Sequence, residues 1–332
     1  KKIAVVGLGY VGLPLACLCA KKGYTVIGID VDKEKISKIN KCISPINDEY
    51  LSDALKKVRI EATSDFSKVK DCSVVVICVP TPVTKKHLPD MSFVESAAKG
   101  ISDYLRNGQL VVLESTVYPG TTEEIVQPIL EKNGLKAGKD FYLAHCPERI
   151  DPGNRKWTVD IIPRVVGGIN NESTKKAAEF YRTIIEASVV EVKSSKEAEA
   201  AKIMENTFRD VNIAFINEMA KSFDKAGIDI MEVIEGASTK PFAFMPHFPG
   251  CGVGGHCIST DPYYLIDNAK NYGFDHEFLV LARKINNSMP EYTIELLREE
   301  LNKLGKSIKG ARIALLGLAY KGNVDDIRES PA

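Results

Sequence analysis

Residues 2–12, KIAVVGLGYVG, decide the fold, because a short apolar run passes directly into a glycine-rich turn. The run is β-branched and apolar enough for a buried strand, and the residues after Gly12 favour a helix. Gly7 permits the tight turn, Gly9 lets the backbone approach a pyrophosphate, and Gly12 allows the helix to pack closely on the strand. The stretch therefore predicts a Rossmann-type unit that binds a dinucleotide.

The alternation of buried strands and amphipathic helices continues through the first half of the chain. Further apolar runs lie at 25–29, 74–79, 110–113, 165–166 and 188–192. Near-continuous apolar runs separated by helices are typical of parallel sheets that are covered on both faces. We therefore predict α/β architecture with a doubly wound parallel sheet, forming an NAD-binding domain over residues 1–193.

The pattern changes after this domain. Residues 195–226 predict one long helix that stops at Gly227, and further helices are expected at 230–235 and 278–304, around a glycine- and proline-rich loop at 241–255. We predict an all-helical central domain at 194–305, with Pro290 kinking or restarting its last helix. A new buried-strand pattern at 311–316 predicts the start of a second Rossmann-like domain over 306–332, of which the sequence contains only the first strand.

The composition argues against several classes of protein. The 332 residues include 44 Lys+Arg and 44 Asp+Glu, so the net charge is zero and a nucleic-acid-binding role is not expected. No apolar run reaches the roughly 20 residues that a membrane span needs, and no signal-peptide cleavage site is recognisable. Eight cysteines without a CxxC pair predict reduced thiols in the cytoplasm. His145 and His256 lack metal-ligand spacing, so no metal is expected.

Asp30 follows the second predicted strand, 18 residues after Gly12. A carboxylate at this distance can accept hydrogen bonds from the ribose hydroxyls of a dinucleotide. Its charge would repel a 2′-phosphate, which favours NAD over NADP, although Lys33 and Lys35 weaken that preference slightly. The phosphates would lie at the N-terminus of the first helix, where free N–H groups and the helix dipole attract anions.

Cys257 is the one cysteine of the eight whose surroundings suit a nucleophile. It lies in GVGGHCISTDP, residues 252–262, where glycines bring the backbone close to a neighbour and expose N–H groups to an oxyanion. Asp261 lies four residues later, so one helical turn would place it beside the thiol. A tight turn around an inert, buried thiol is the alternative interpretation.

The long helix offers a cation for this thiol. Lys202, Asn206 and Arg209 recur at i, i+4 and i+7 and therefore share one helix face, which continues as a buried stripe. An internal ion pair of Lys202 with Glu199 or Glu205 is an equally good explanation. A second stripe predicts that the helix is buried on two faces, and its residues are Met204, Phe208, Val211, Phe215 and Met219.

Two loops that follow strands carry further candidates. The stretch ESTVYPGT, 114–121, lies at the carboxyl edge of the predicted sheet, where doubly wound folds bind ligands. Its alternative role is a helix start, because Thr121 and Glu124 match a capping box. The stretch CPERIDPGN, 146–154, offers Glu148 as an acid or base, and the alternative is an exposed loop glutamate without a catalytic role.

Several long motifs occur in one order along essentially the whole chain: GLGYVG, VPTP at 79–82, ESTVYPGTT, CPER, AEAAKIMENTFRDVNIAFINE, GVGGHCISTDP and GLAYKGNVDDIRESP. Together they resemble the UDP-glucose/GDP-mannose dehydrogenase family. The resemblance implies oxidation of a primary alcohol to a carboxylate with two NAD and one water, through a thiohemiacetal and then a thioester on Cys257.

The resemblance also implies roles for single residues. Lys202 and Asn206 would stabilise the oxyanion, Asp261 would act with Lys202 on the water or proton, Thr116 would hold a water, and Glu148 would assist thioester hydrolysis. The expected cofactor-site residues are Gly7, Gly9, Tyr10, Val11, Gly12, Asp30, Lys35, Pro80, Thr81, Ser115, Thr116 and Arg328. The expected substrate-site residues are Glu148, Arg149, Lys202, Asn206, Arg209, Phe248, Gly254, Gly255, His256, Tyr320 and Lys321.

One departure from the family affects the hydrolytic base. UDP-glucose members carry a second glutamate four residues after the first, and here that position is Pro152. The motifs PERIDPGN and TKPFAFMP are similar to the UDP-N-acetylhexosamine branch. Within this branch, DPGN followed by IIPRVVGG looks more like UDP-N-acetylglucosamine 6-dehydrogenases than UDP-N-acetylmannosamine ones. The resemblance further implies a homodimer through the long helix and a third domain that binds UDP.

Two other functions are compatible with a dinucleotide-binding domain of this kind. A two-electron NAD dehydrogenase of the hydroxyacid kind shares a dinucleotide domain followed by helices and needs no cysteine. A non-catalytic nucleotide-sensing protein would keep the fold without the chemistry. The intact set of catalytic candidates argues against the second alternative, and its members are Thr116, Glu148, Lys202, Asn206, Cys257 and Asp261.

Overall fold

The computed structural model describes residues 1–84, 88–150, 156–255, 257–322 and 326–332. The chain divides into two compact units, Lys1–Ile203 and Met204–Ala332. The division falls inside the long helix, slightly beyond the domain boundary predicted at 193/194. The two units are described separately below.

The first unit is built on a central sheet. Its strands within the described residues are β1 (Lys2–Val6), β2 (Thr25–Ile29), β3 (Ile60–Thr63), β4 (Val74–Ile77), β5 (Leu110–Leu113), β6 (Tyr142–His145), β7 (Arg164–Gly168) and β8 (Val189–Glu191). They lie in the order β3-β2-β1-β4-β5-β6-β7-β8. The chain therefore runs outward from β1 in one direction and from β4 in the other, which creates a ligand-binding crevice at the carboxyl ends of β1 and β4.

The predicted parallel doubly wound sheet is confirmed, with one antiparallel junction. All neighbouring strands are parallel except β6 and β7, where Ala144 pairs with Gly168 and His145 with Gly167. A parallel connection requires a crossover, usually a helix. The described part of the β6–β7 connection contains no helix, so β7 returns antiparallel. The weakly apolar β3 is the strand that the sequence pattern missed.

Helices cover the sheet of the first unit. They are α1 (Gly12–Lys21), α2 (Lys33–Asn40), α3 (Glu49–Lys57), α4 (Ser92–Ser102), α5 (Gln127–Leu130) and α6 (Asn171–Ile184). The α1 segment is apolar nearly throughout because it packs against strands at the centre of the sheet, and its Leu13 and Leu15 are fully buried beside Ile3 and Val5. The predicted long helix is confirmed as α7 (Ser195–Lys225), which crosses into the second unit.

The second unit is helical. It contains α8 (Ile230–Ser238), α9 (Asp261–Lys270), α10 (Glu277–Asn287) and α11 (Met289–Lys303). The helix predicted at 278–304 is interrupted at Ser288, because Pro290 cannot donate the hydrogen bond that a continuous helix needs. The sequence analysis missed α9, although Pro262 in its first turn is a typical start signal. Among the described residues, no helix combines the length and hydropathy of a membrane span.

Buried polar side chains join α7 to α10 in the second unit. Arg283 Nη1 lies 2.6 Å from Asp210 Oδ1, and Asn286 donates to the same carboxylate at 2.8 Å. Asn217 donates to Asn286 at 2.9 Å and accepts from the backbone of Gly250 at 3.0 Å. This chain of partners joins polar side chains on the inner face of α7 and fixes one point of the 241–255 loop, although Asp210 Oδ2 and Arg283 Nε accept or donate no hydrogen bond among the described residues.

The strand predicted at 311–316 is not formed. Residues 311–318 have no regular secondary structure, and Leu316 is 92% exposed. A strand of this composition is stable only when neighbouring strands hydrogen-bond to it. No such neighbour pairs with it in the part of the chain that the structure describes.

The second buried face predicted for α7 is also wrong for the single chain. Met204, Phe208 and Phe215 are 70%, 48% and 54% exposed, while Val211 and Met219 are only partly buried. Arg209, expected on the buried stripe, is exposed as well. The apolar pattern identified a surface suited to burial, but within this chain the described residues leave it largely uncovered.

Candidate active site

The glycine-rich loop after β1 packs tightly against the start of the loop after β4. A Cβ atom on Gly12 would lie 1.9 Å from the Gly7 carbonyl oxygen, and one on Gly7 would lie 2.7 Å from the Cys78 carbonyl oxygen. Gly7 also has a φ of +93°, which favours glycine. A Cβ on Gly9 would meet no atom within 4 Å, so that position faces open space. Gly7 and Gly12 therefore shape the loop, and Gly9 leaves room for a ligand.

Asp30 holds this loop from the end of β2. Its carboxylate accepts hydrogen bonds from the backbone N–H of Leu8 at 2.8 Å and of Asp32 at 3.0 Å, and Lys35 Nζ lies 3.0 Å away. Burial raises the pKa of Asp30, but these three donors outweigh it, so the pKa lies below its usual value. Lys35 thus pairs with Asp30 in the structure.

The N-terminus of α1 fits a phosphate. No side chain caps it at Val11, and Tyr10 beside it is partly exposed. Uncapped N–H groups at a helix start attract anions. With Gly9 open and an ionised Asp30 on the neighbouring strand, the residues fit the pyrophosphate and ribose of NAD.

The loops after β4 and β5 are tied together. Ser115 Oγ donates to the Val79 carbonyl at 2.7 Å, and Thr81 Oγ1 donates to the Thr116 carbonyl at 2.7 Å. The structure therefore brings the predicted cofactor residues Thr81, Ser115 and Thr116 together at the carboxyl edge of the sheet. Pro80 lies beside them and is exposed.

Glu199 holds the 115–122 loop from α7. Its fully buried carboxylate accepts the backbone N–H of Gly120 at 2.6 Å and of Thr122 at 2.8 Å, and the Thr122 hydroxyl at 2.6 Å. The capping box considered for Thr121 and Glu124 is not formed, because the Thr121 hydroxyl donates to the Tyr118 carbonyl instead. Burial raises the pKa of Glu199 to about 7, although these three donors lower it.

Glu148 is buried, which corrects the alternative of an exposed loop glutamate. Its Oε1 accepts the backbone N–H of Arg149 at 2.6 Å and of Ile150 at 2.7 Å, and its Oε2 lies 2.7 Å from Arg164 Nη2. The Arg149 guanidinium donates to the Pro163 carbonyl at 3.0 Å. Pro152, the position of the missing second glutamate, lies outside the described residues.

In the second unit, three predicted catalytic residues come together. The backbone N–H of Asp261 donates to the Cys257 carbonyl at 2.8 Å, which is the helical turn predicted between them. Asn206 Nδ2 donates to Asp261 Oδ2 at 2.5 Å, so α7 is joined to the start of α9. Asn206 and Asp261 are buried, whereas Cys257 is half-buried and so accessible.

Lys202 lies on α7 one turn before Asn206, at the end of the first unit. It is buried, yet within the described residues no carboxylate forms an ion pair with it. The internal ion pair considered with Glu199 is absent, because the Glu199 carboxylate faces the 120–122 backbone. A buried ammonium without a counter-charge favours the approach of an anion.

The glycines before Cys257 pack against the end of the chain. A Cβ on Gly254 would lie 2.6 Å from Tyr320 Cβ, and one on Gly255 would lie 2.9 Å from the Tyr320 ring. The Gly255 N–H donates to the Arg328 carbonyl at 3.0 Å. The structure therefore unites these predicted substrate and cofactor residues.

The remaining candidates near this loop lie as follows. Arg328 Nη2 lies 2.6 Å from Asp326 Oδ2. Lys321 Nζ lies 6.0 Å from the centre of the Tyr320 ring, and the Phe248 side chain is exposed. His256 is outside the described residues.

The buried partners of these loops are not predicted by the sequence pattern. Glu199 lies three residues before Lys202 and so shares its helix face, but the pattern predicts only an ion pair for it. Arg164 opens an otherwise apolar strand, IIPRVVGG, and a charge in such a run signals a buried partner. Glu114 and Tyr181, which also face Arg164, carry no comparable signal in the sequence.

Comparison with known proteins identifies the family. Residues 1–185 match the model of the NAD binding domain of the UDP-glucose/GDP-mannose dehydrogenase family, and residues 196–288 match the model of its central domain. The chain belongs to this family. It is therefore an NAD-dependent dehydrogenase of the nucleotide-sugar class, which confirms the family, enzyme class and cofactor expected from the motifs.

Individual relatives cover nearly the whole chain. A UDP-N-acetyl-D-mannosamine dehydrogenase of Pyrococcus horikoshii is 41% identical over 100% of this chain and 79% of its own length. A UDP-N-acetyl-D-glucosamine 6-dehydrogenase of Pseudomonas aeruginosa is 40% identical over 99% of this chain and 78% of its own length. The solved structure of the Pyrococcus horikoshii UDP-D-ManNAc dehydrogenase superposes with a TM-score of 0.94, covering 100% of this chain and 79% of that one.

The two kinds of glycine in the NAD loop predict different defects. In Gly9→Ala, the new Cβ occupies open space, so the free energy of unfolding should change by less than about 1 kcal/mol. The dissociation constant for NAD should nevertheless rise at least ~10-fold, because the pyrophosphate loses its approach. In Gly12→Ala, the clash with Gly7 should lower the free energy of unfolding by about 3 kcal/mol.

Thermal or urea unfolding and NAD titration measure both effects, with Gly236→Ala in α8 as the control at an open site. Equal loss of stability in Gly9→Ala and Gly12→Ala would contradict the assignment.

The raised pKa of Glu199 predicts a pH-dependent contribution to stability. The folded state holds this proton with a pKa of about 7, against the ordinary value of 4.5. Its contribution is therefore complete below pH 4.5 and is lost as the pH rises to about 7. Relative to Glu199→Gln, the free energy of unfolding of the wild type should fall by up to about 3 kcal/mol across this window.

Urea unfolding of both proteins from pH 4.5 to 8 tests this, with Glu218→Gln on the exposed face of α7 as the control. A wild-type-minus-variant difference that does not change with pH would refute it.

Proposed function

We propose that the protein oxidises the C6 hydroxymethyl group of a UDP-N-acetylhexosamine to the carboxylate, with NAD as acceptor and Cys257 as the covalent nucleophile. The observation that carries this proposal is the cluster of Cys257, Asp261 and Asn206, joined by the Asp261–Cys257 backbone hydrogen bond and the Asn206–Asp261 side-chain bond. A two-electron dehydrogenase of the hydroxyacid kind needs no cysteine at this turn, whereas the covalent route requires one.

The net reaction consumes one primary alcohol, two NAD and one water, and it yields one carboxylate, two NADH and three protons. When bound, NAD accepts a hydride from C6 in each of the two oxidation steps. The residues that would hold it are the 7–12 loop, Asp30 and the paired loops at 79–81 and 115–116. Their open Gly9 position and uncapped α1 terminus support this assignment.

Cys257 retains the intermediate between the two oxidations. Its thiolate adds to the C6 carbon of the aldehyde, forming a carbon–sulfur bond and an oxyanion that is protonated to the thiohemiacetal. In the second oxidation C6 loses a hydride and the hydroxyl group loses a proton, which yields a thioester. Water then attacks the thioester carbon, and the carbon–sulfur bond breaks to return the thiolate. Covalent capture keeps the reactive aldehyde from diffusing away.

Buried polar groups would stabilise the charges that arise in these steps. The Lys202 ammonium, which lacks a counter-charge among the described residues, and the Asn206 amide are the proposed partners of the oxyanion, and a good donor of this kind contributes about 3 kcal/mol. Asp261 would exchange the proton with Lys202, Thr116 would hold a water near C6, and Glu148 would assist the hydrolysis of the thioester.

The substrate class rests on the relatives and on the sequence motifs. Relatives of almost equal identity are named for the manno and the gluco epimer, 41% and 40%. The DPGN and IIPRVVGG motifs favour UDP-N-acetylglucosamine. The loop at 252–255, packed on Tyr320, is the proposed sugar-binding backbone, with Phe248, His256, Arg149, Arg209 and Lys321 as further contacts, and Arg328 toward the cofactor.

We further propose a homodimer through α7. Its exposed apolar side chains, Met204, Phe208 and Phe215, lie on one face, and a groove of about 610 Å³ runs between this face and the 241–247 segment. A second copy would bury this face.

All eight cysteines are free thiols, which supports a reducing compartment such as the cytoplasm.

The ratio of NADH to sugar tests the four-electron mechanism. The complete protein, given UDP-N-acetylglucosamine and NAD, should form two NADH per uronate. Cys257→Ser should form uronate more than about 1,000-fold more slowly, because the nucleophile is lost. The control is Cys251→Ser, an exposed thiol of the same loop, which should retain full activity. One NADH per sugar, or full turnover by Cys257→Ser, would overturn the thioester route.

The two epimers test the sugar assignment. The motif resemblance predicts a larger kcat/KM for UDP-N-acetylglucosamine than for UDP-N-acetylmannosamine. Measuring both with the same enzyme preparation decides the question. A clear preference for the manno epimer would contradict the gluco assignment and leave the four-electron mechanism intact.

A further inference from the structure

Arg164 lies at the start of β7 with its guanidinium completely buried. A charge in such a place requires counter-charges, since transfer of an isolated ion from water into a protein interior costs several kcal/mol. Two carboxylates meet it. Glu148 Oε2 lies 2.7 Å from Nη2, and Glu114 Oε2 lies 3.7 Å from Nη1. Arg164 is therefore shared by two loops of the proposed active site.

These two loops carry the groups that the proposed chemistry needs near the thioester. Glu114 follows β5 directly and precedes Thr116 by two residues, while Glu148 lies in the loop after β6. Because β5 and β6 are parallel neighbours, both loops leave the same edge of the sheet. Arg164, at the start of the neighbouring strand β7, contacts a carboxylate of each loop.

Tyr181 completes the cluster from α6. Its hydroxyl donates to Glu114 Oε1, and its ring centre lies 5.8 Å from the Arg164 guanidinium carbon. The other titratable neighbours among the described residues are the buried thiols Cys19, Cys78 and Cys146. One cation thus faces two carboxyl groups in a dry environment, so one of the two tends to hold a proton near neutral pH.

The geometry assigns the proton to Glu114. Glu148 has the shorter contact to the guanidinium and two backbone N–H donors, whereas Glu114 is farther from the charge. Burial, together with the nearby Glu148, raises the pKa of Glu114 to about 7, although Arg164 and Tyr181 lower it. Glu148 Oε2 faces the Arg164 guanidinium and its Oε1 accepts from the 149–150 backbone, so both oxygens of Glu148 are held in place.

We propose that Arg164 is a positioning residue, which holds the Glu148 carboxylate in one orientation for hydrolysis of the thioester. The role rests on the proposed function, because it acts through Glu148. Arg164 itself, behind both carboxylates, is not placed to touch the substrate. Its loss should therefore slow the hydrolytic half of the reaction and leave the two oxidations nearly unchanged.

Rapid mixing of the complete enzyme with NAD and UDP-N-acetylglucosamine separates the two halves. In Arg164→Met, a burst of two NADH per active site should appear at close to the wild-type rate, followed by steady-state turnover at least ~10-fold slower. Acid quenching during the burst should recover the sugar covalently attached to the protein. Arg164→Lys, which keeps the charge but not the fork geometry, should restore part of the steady-state rate.

Three further variants make the assignment specific. Arg182→Met removes an exposed arginine that pairs with Glu191 in the same unit, and it should behave as wild type. Glu148→Gln should give the same burst as Arg164→Met. If both residues act in one step, adding Arg164→Met to Glu148→Gln should not lower the steady-state rate further. Tyr181→Phe, which keeps the ring, should lower the steady-state rate by a smaller factor than Arg164→Met. It provides the test of the cluster if Arg164→Met does not fold.

The burst and the steady-state rate distinguish failure of the positioning role from failure of the proposed function. Equal loss of burst and steady-state rates in Arg164→Met and Arg164→Lys, or a Glu148→Gln variant without covalent accumulation, would overturn the positioning role while wild type still forms two NADH per sugar. A wild-type ratio of one NADH per sugar would overturn the proposed function itself, and this role with it.

Discussion

Buried carboxylates that accept backbone N–H groups hold the loops at the carboxyl edge of the sheet. Asp30 holds the glycine-rich loop, Glu199 the 115–122 loop and Glu148 the 146–150 loop. Parallel strands end at this edge in irregular backbone, whose N–H groups need acceptors when they are buried. A hydrogen bond to a charged group contributes about 1.5–3 kcal/mol, more than a neutral one, so each carboxylate can fix a loop that regular structure does not.

This arrangement places negative charge around a site that binds anions. Lys35 balances Asp30, Arg164 balances Glu148, and burial raises the pKa of Glu199, which forms no ion pair among the described residues. Lys202 has the opposite condition, since it is a buried cation without a carboxylate among the described residues. The net charge of the whole chain is zero, but the charges are not paired evenly. Lys202 on α7 has no carboxylate partner among the described residues, so we expect it to attract an anionic intermediate.

The sequence predicted those features that depend on neighbours along the chain. The 2–12 stretch identified the fold because strand, turn and helix requirements are local, and the turn between Cys257 and Asp261 followed from helical spacing alone. Arg164, Glu114 and Tyr181 could not be predicted to meet, because they are far apart in sequence and come together only through strand order. The strand expected at 311–316 failed for the same reason, since apolar alternation does not reveal whether a neighbouring strand is present.

The exposed apolar side chains on α7 lie close in sequence to Asn206, so the proposed contact with a second copy would affect the Asn206–Asp261 hydrogen bond. Met204 and Phe208 flank Asn206 in the sequence, so anything that covers these two side chains restricts the turn of helix from which Asn206 donates to Asp261. A hydrogen bond weakens when its donor moves out of line, and an uncovered helix face packs less tightly than a covered one. A second copy on this face would therefore stabilise the orientation of Asp261 beside Cys257 without contributing a group to the reaction.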